Sequence, residues 1–161
     1  MRAAVLTVSD RVSRGEAVDG SGDTLEQLLR ADGYEVTRRL VPDEADEIAA
    51  AIRELAEEAE LVLTTGGTGF AARDVTPEAT RGVLDREAPG IAEAIRADST
   101  GKTPHGLLMR GAAGTIGSTL VVNLAGSPGA CRDGYAVLAP ALPHALKLLA
   151  DQATATDHVH T

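Results

Sequence analysis

The stretch that most limits what this chain can fold into runs from Leu61 to Thr80, LVLTTGGTGFAARDVTPEAT. Leu61-Val62-Leu63 is a short apolar run of the kind that a strand buried on both faces shows. Gly66-Gly67-Thr68-Gly69 then removes nearly every side chain from the turn that follows. Thr76-Pro77-Glu78 reads as an N-cap, a proline at the first helical position and an acid in the first turn. The unit is strand, glycine loop, helix. Such a loop lets backbone N–H groups approach an anion closely, and Asp74 sits inside it. The glycine spacing is neither GxGxxG followed by an acid on the next strand nor GxxxxGK[ST], since no lysine follows. Taken alone, it equally describes a tight connection in which Asp74 forms an Asx-turn.

The rest of the chain repeats this alternation. Ala3 to Val8 is a β-type run stopped by Ser9-Asp10-Arg11, and a polar loop follows through Gly15 and Asp19. Ser21 or Asp23 is placed to cap a helix carrying Leu25, Leu28 and Leu29, which Asp32-Gly33 ends. Tyr34 to Val41 is a strand that stops at Pro42-Asp43-Glu44. Ile48, Ile52, Leu55 and Ala59 then form one apolar helical stripe. After the glycine loop, helices are expected from Pro77 to about Leu84 and from Pro89 through Ile95, with loop from Ser99 to Gly106. Leu107-Leu108-Met109-Arg110 and Thr119 to Asn123 read as two strands of a hairpin or meander. A last helical region carries apolar residues from Val137 to Leu149, broken or kinked by Pro140 and Pro143. The expectation is one α/β domain over residues 1–150: three layers, a mostly parallel sheet with helices on both faces, and a small antiparallel element near residues 107–123. Residues 151–161 read as a frayed tail.

Composition excludes several functions. The chain has 161 residues with a formal charge of −9 and no basic cluster, and Phe70, Tyr34 and Tyr135 are its only aromatics. That leaves little for base stacking, so no nucleic-acid partner is expected. A single cysteine, Cys131, gives no disulfide framework and no cysteine metal site, and it reads as a small buried apolar residue. No leader and no apolar span long enough for a bilayer is evident, so the expectation is a cytoplasmic protein with no membrane partner. His105 and His144 pair with no evident nucleophile; His158 and His160, two apart near the end, offer at most an incidental metal contact.

Topology adds more than any single motif. Asp10, Asp43, Asp74 and Ser127 each follow a strand, and in an open parallel sheet those segments share one edge, where ligands bind. Each has a plainer reading as well: Asp43 as the N-cap of the next helix, Asp10 in a turn, Ser127 as a cap, Arg73 as a surface residue. If the segments converge, two acids opposite glycine loops suit Mg²⁺, which is held by one or two carboxylates plus substrate phosphates. That points to a nucleoside triphosphate and transfer at phosphorus.

The chain resembles the MoaB/Mog family of molybdenum-cofactor biosynthesis proteins, which includes the gephyrin G domain. The resemblance rests on Thr7-Val-Ser-Asp-Arg11, Asp19-Gly-Ser-Gly22, Val41-Pro-Asp-Glu44, Thr65-Gly-Gly-Thr-Gly-Phe70, Arg73-Asp-Val-Thr-Pro-Glu-Ala-Thr80, Arg86-Glu-Ala-Pro-Gly90 and Asn123-Leu-Ala-Gly-Ser-Pro128. It implies a homotrimer that adenylylates molybdopterin with ATP and Mg²⁺, handing the product to a molybdenum-insertion enzyme. By the same matching, Asp43 and Asp74 are the catalytic and Mg²⁺-holding residues. Ser9, Asp10, Thr65, Gly66, Gly67, Thr68, Gly69, Gly126, Ser127 and Pro128 would bind substrate and nucleotide. Ala125 stands where the family usually has proline, and Met109 where it usually has serine. The competing expectation is a non-catalytic module that binds the pterin or a partner protein. A nicotinamide-dependent dehydrogenase fits poorly, because the glycine pattern is wrong for it.

Overall fold

In chain order the computed structural model contains β1 (Arg2–Val8), α1 (Asp10–Ser13), α2 (Gly20–Ala31), β2 (Glu35–Val41), α3 (Ala45–Glu58), β3 (Leu61–Thr65) and α4 (Thr76–Arg81). There follow β4 (Arg86–Glu87), α5 (Pro89–Lys102), β5 (Ala113–Ile116), β6 (Thr119–Leu124), α6 (Pro128–Leu138) and α7 (Leu142–Asp157), with 3₁₀ turns at Pro104–Leu108 and Ala139–Ala141. The structure describes residues 1–157. One six-stranded sheet has the order β2-β1-β3-β6-β5-β4. β1 pairs in parallel with β2 and β3, and β3 with β6, whereas β5 and β4 add on antiparallel. This is the expected α/β architecture.

Strand alternation sorts the core into two faces. Ala3, Val5, Leu61, Leu63, Val122 and Leu124 pack with α2, α5, α6 and α7 through residues such as Leu25, Leu29, Ile95, Leu138 and Leu142. Ala4, Leu6, Val8, Val62 and Val121 turn the other way, onto Ile48, Ile52 and Leu55 of α3 and Ala79 of α4. Each fully buried Leu or Ile contributes roughly 1.5–3 kcal/mol, so a core nearly free of aromatics is still adequate. The buried aromatic in these clusters, Tyr135, has its hydroxyl donating to Asp32 at 2.6 Å. At the middle of the sheet, Asn123 joins three elements: its amide donates to the hydroxyls of Thr64 and Thr80, and its oxygen accepts from the Ala112 N–H.

Several boundaries differ from expectation. Leu107–Arg110 is not a strand: Pro104 starts a 3₁₀ turn through Leu108, and the hairpin arm is Ala113–Ile116, joined to β6 across Gly117 and Ser118. A four-residue apolar run has no period long enough to separate the two states. α5 runs on through Ser99, Thr100 and Gly101 to Lys102, whose ammonium pairs with Asp98 one turn back. α2 is capped by Asp19, which accepts from the Gly22 N–H, rather than by Ser21 or Asp23. Pro140 does separate α6 from α7, and Pro143 sits in the first turn of α7, where no intrahelical N–H is required. α7 continues through Asp157, so residues 151–157 are helical; His158 and His160 lie outside the described residues. Among the described residues, no helix is long and apolar enough to cross a membrane.

Candidate active site

The four parallel strands end together, at Val8, Val41, Thr65 and Leu124, so the segments that follow them meet on one edge. β1 lies between β2 and β3, and the chain order reverses there, which opens a crevice outside the carboxyl ends. Asp10 and Asp43 are locked across it. The Asp10 N–H donates to Asp43 Oδ2 at 2.9 Å, and the Asp43 N–H donates to Asp10 Oδ1 at 3.0 Å. Arg73, from the far arm of the glycine loop, donates to Asp10 (2.7 and 3.1 Å) and to Glu44 (2.8 Å). The Arg73 hydrogen bond, with that from the Asp43 amide, holds the Asp10 carboxyl down to about 2. Asp43 goes the other way: burial raises its pKa, and the nearby Asp10 and Asp74 carboxylates add to the rise. Asp43 is therefore not the helix cap. Glu44 occupies the cap position of α3 without a side-chain bond.

The glycine loop is held from both sides. Gly66 and Gly67 have φ of 100° and 68°, in the left-handed region. A Cβ on Gly66 would sit on the Val8 carbonyl oxygen, and one on Gly67 would run into the Thr76 hydroxyl and lie 3.1 Å from Asp43 Oδ1. Thr76 is fully buried; its hydroxyl donates to the Gly66 carbonyl at 2.9 Å and its N–H to Gly67 O at 3.1 Å. Asp74 Oδ2 accepts from the Gly69 and Ala71 N–H groups, both at 3.1 Å, so the turn reading is correct for one of its oxygens. Arg110 clamps the outside, donating to the carbonyls of Gly69 and Asp74 at 2.9 Å each and pairing with Glu78. Among the described residues, the N–H groups of Gly67, Thr68 and Phe70 have no acceptor, nor do Asp43 Oδ1 and Asp74 Oδ1 have a donor.

The opposite wall is Ala125-Gly126-Ser127-Pro128. The Thr65 hydroxyl donates to the Ala125 carbonyl at 2.8 Å, and the buried Cys131 thiol approaches the same oxygen at 3.2 Å. Gly126 passes so close to Gly66 that a Cβ on it would lie 3.2 Å from the Gly66 Cα. Ser127 caps α6 by accepting from the Ala130 N–H.

These walls enclose two recesses on either side of the glycine loop. The larger, about 640 Å³, is lined by Ser9, Asp10, Asp43, Thr65, Gly66 and Pro128 together with Arg73 and the start of α2. The smaller, about 420 Å³, is lined by Thr68, Gly69, Phe70, His105, Leu108, Met109 and Ala125. Gly67, Asp74 and Gly126 belong to both. All the sequence-derived site residues thus meet here except Ser127, which lines neither recess. Sequence reasoning gave no role to Arg110 and read Thr76 only as the N-cap of α4, a position that Val75 takes without a side-chain bond. The Arg110 and Thr76 side chains act on partners distant in the chain, 32 to 41 residues away for Arg110 and 10 for Thr76. Both lie in segments that the resemblance covers, Thr76 within the motif Arg73 to Thr80 and Arg110 directly after Met109.

Among the described residues, no group of three or more His, Cys, Asp and Glu could hold a metal alone. Any cation between Asp43 and Asp74 would complete its shell with water and substrate oxygens, which is how Mg²⁺ is usually bound.

Residues 4–144 match the family model described as "Probable molybdopterin binding domain". The chain is 40% identical over 160 residues to the molybdenum cofactor synthesis protein cinnamon of Drosophila melanogaster, covering 97% of this chain but 27% of that protein. The molybdopterin adenylyltransferase of Helicobacter pylori J99 is 37% identical over 150 residues, covering 90% of this chain and 85% of its own length. Among solved structures, the molybdopterin biosynthesis enzyme MoaB of Thermus thermophilus superposes with a TM-score of 0.86 at 47% identity, over 92% of this chain and 95% of its own.

Proposed function

This chain belongs to the molybdopterin-binding domain family, and from that premise we propose that it is a molybdopterin adenylyltransferase. In this reading an oxygen of the terminal phosphate of molybdopterin attacks the α-phosphorus of ATP. The new P–O bond forms as the bond to the β-phosphate oxygen breaks, and pyrophosphate leaves with that electron pair.

One observation carries the reading. Asp43 and Asp74 each spend one carboxylate oxygen on fixing backbone and keep the other unbonded, beside the unpaired amides of Gly67 and Thr68. Those amides are placed to donate to non-bridging phosphate oxygens, and a single preorganised donor of this kind is worth about 10²–10³ in rate. Asp43 Oδ1 and Asp74 Oδ1 are the residues' contribution to holding Mg²⁺, which when bound neutralises phosphate charge. Asp10 and Arg73 act one step back, keeping Asp43 in place. The two recesses meeting at Gly67, Asp74 and Gly126 suit two substrates that react at a shared wall. The protein supplies positioning and electrostatics rather than a covalent intermediate. The reading extends to a homotrimer and to hand-over of the product to a molybdenum-insertion enzyme; a monomer in sedimentation would remove the first.

The test combines purified protein, molybdopterin, ATP and MgCl₂ and follows adenylyl-molybdopterin. Asp43→Asn and Asp74→Asn retain an acceptor for the backbone bonds, so both should fold, with turnover reduced at least about 100-fold. Undiminished turnover in both variants would refute the assigned roles. Pterin binding by the wild type without product would instead establish a non-catalytic binding module.

A further inference from the structure

The larger recess is also walled by the start of α2, where Asp19-Gly20-Ser21-Gly22 makes the first turn of a 12-residue helix. Its anchoring is unusually tight. Asp19 Oδ1 accepts from the Gly22 N–H at 3.0 Å, while Oδ2 accepts from the Thr7 hydroxyl on β1 at 2.7 Å and from Arg38 on β2 at 2.6 Å. Arg38 reaches on to Asp23 and Glu26 of the same helix. Gly22 lies against this knot so closely that a Cβ would meet Asp19, Arg38 and Thr7 at once. The Asp19 carboxylate, although it lines the recess, is thus fully engaged and opposed by a guanidinium.

Ser21 is left over. It is only 8% exposed and lines the recess, yet among the described residues its hydroxyl has no hydrogen-bond partner and its N–H has no acceptor. Its oxygen is not sealed in the core: among the described residues the enclosed side-chain oxygen without a partner is that of Thr115, so the unpartnered Ser21 hydroxyl opens onto the recess. Here it sits at the second position of a helix, where the exposed amide and the helix dipole both favour an anion. Arg11 lines the same recess and is exposed. The other arginines of that wall are committed, Arg14 to Glu16 and Arg73 to Asp10 and Glu44; Arg11 has no ion pair among the described residues.

We propose that Ser21, through its N–H and hydroxyl at the head of α2, forms with Arg11 a second oxyanion subsite, which takes a phosphate group of the phosphorylated substrate. It is separate from the glycine-loop amides, and the proposal rests on the reading that this recess accepts phosphorylated ligands. Two sources share that chemistry: the β,γ end of a nucleoside triphosphate, which departs as pyrophosphate, and the α-phosphate.

The experiment is calorimetric titration of the full chain with inorganic pyrophosphate and, separately, with AMP, at two salt concentrations. Ser21→Ala should weaken binding of the anion about tenfold or more, as expected when the one hydrogen bond donated by the hydroxyl to a charged oxygen is removed and the N–H is kept. Its ligand-free melting temperature should stay near that of the wild type, because no protein contact is lost. Arg11→Gln should weaken the same anion and flatten its salt dependence. A loss confined to pyrophosphate assigns the subsite to the leaving group; a loss with AMP assigns it to the α-phosphate. Either pattern supports the subsite. Equal affinities in wild type and Ser21→Ala, or no binding of either anion by the wild type, overturns it. Adenylyl transfer is scored separately: absence of product with anion binding intact refutes the enzyme reading alone. Product formed by Ser21→Ala with an unchanged KM for ATP refutes the subsite alone.

Discussion

Replacing Gly67 by alanine perturbs the glycine loop where it passes the Thr76 hydroxyl. With φ at 68°, an L-residue there costs about 1–2 kcal/mol relative to glycine. The new Cβ also runs into the Thr76 hydroxyl, which is buried and bonded to the Gly66 carbonyl at 2.9 Å. Displacing that bond costs roughly 1 kcal/mol, with a similar amount for crowding, and the reduced freedom of the unfolded chain returns about 0.4–1 kcal/mol. The net expectation is a loss of about 2–4 kcal/mol, or roughly 5–15 °C in melting temperature for a chain of this size. Thr76→Ala alone removes the hydroxyl and should cost about 1–2 kcal/mol. In the double variant the added methyl occupies the vacated space, so the combined loss should fall short of the sum by about 1 kcal/mol or more. Urea unfolding of the four proteins measures all terms. A Gly67→Ala protein within about 0.5 kcal/mol of wild type, or a strictly additive pair, would show that the contact with Thr76 does not govern the loop.

The opposed shifts of Asp10 and Asp43 give two pH signatures of opposite sign. Asp10, depressed to about 2, contributes stability that is present above the unfolded value of about 4 and lost as pH falls through about 2; Asp10→Asn should therefore shrink the acid-side fall in melting temperature. Asp43 is raised, so it binds its proton more tightly folded than unfolded, and stability declines as pH rises from about 4 through its folded value. Asp43→Asn should remove that decline, and an unchanged profile in thermal melts would contradict the burial argument. Cys131, whose thiol burial pushes up to about 11, should resist a thiol reagent at pH 8 in the native protein and react only at the rate of unfolding; fast labelling would show that α6 opens.

Where signals were local and periodic, the sequence was a reliable guide. The stripe Ile48-Ile52-Leu55 gave α3, and the buried run at Leu61-Val62-Leu63 gave the central strand β3. The shared edge was legible because it follows from strand order rather than from side chains. What could not be read were choices between equally good local partners. Asp43 has the composition of a helix cap, but the Asp10 amide, 33 residues back in the chain, competes successfully for its oxygen. Ser21 and Asp23 looked like caps, and Asp19 won because Thr7 and Arg38 hold it in position. Leu107 to Met109 failed for a different reason: apolar residues facing a recess and solvent carry the same pattern as a short strand.

Phe70 stands at the tip of the glycine loop, 70% exposed, between two residues whose amides Asp74 holds, on the lip of the smaller recess. The chain has no tryptophan. An indole introduced at Phe70 would be the sole emitter under selective excitation, so its spectrum and quenching would report on this loop alone. The scarcity of aromatics that thins the core thus leaves an optically silent background, and the loop becomes a place where ligand arrival can be timed without labelling.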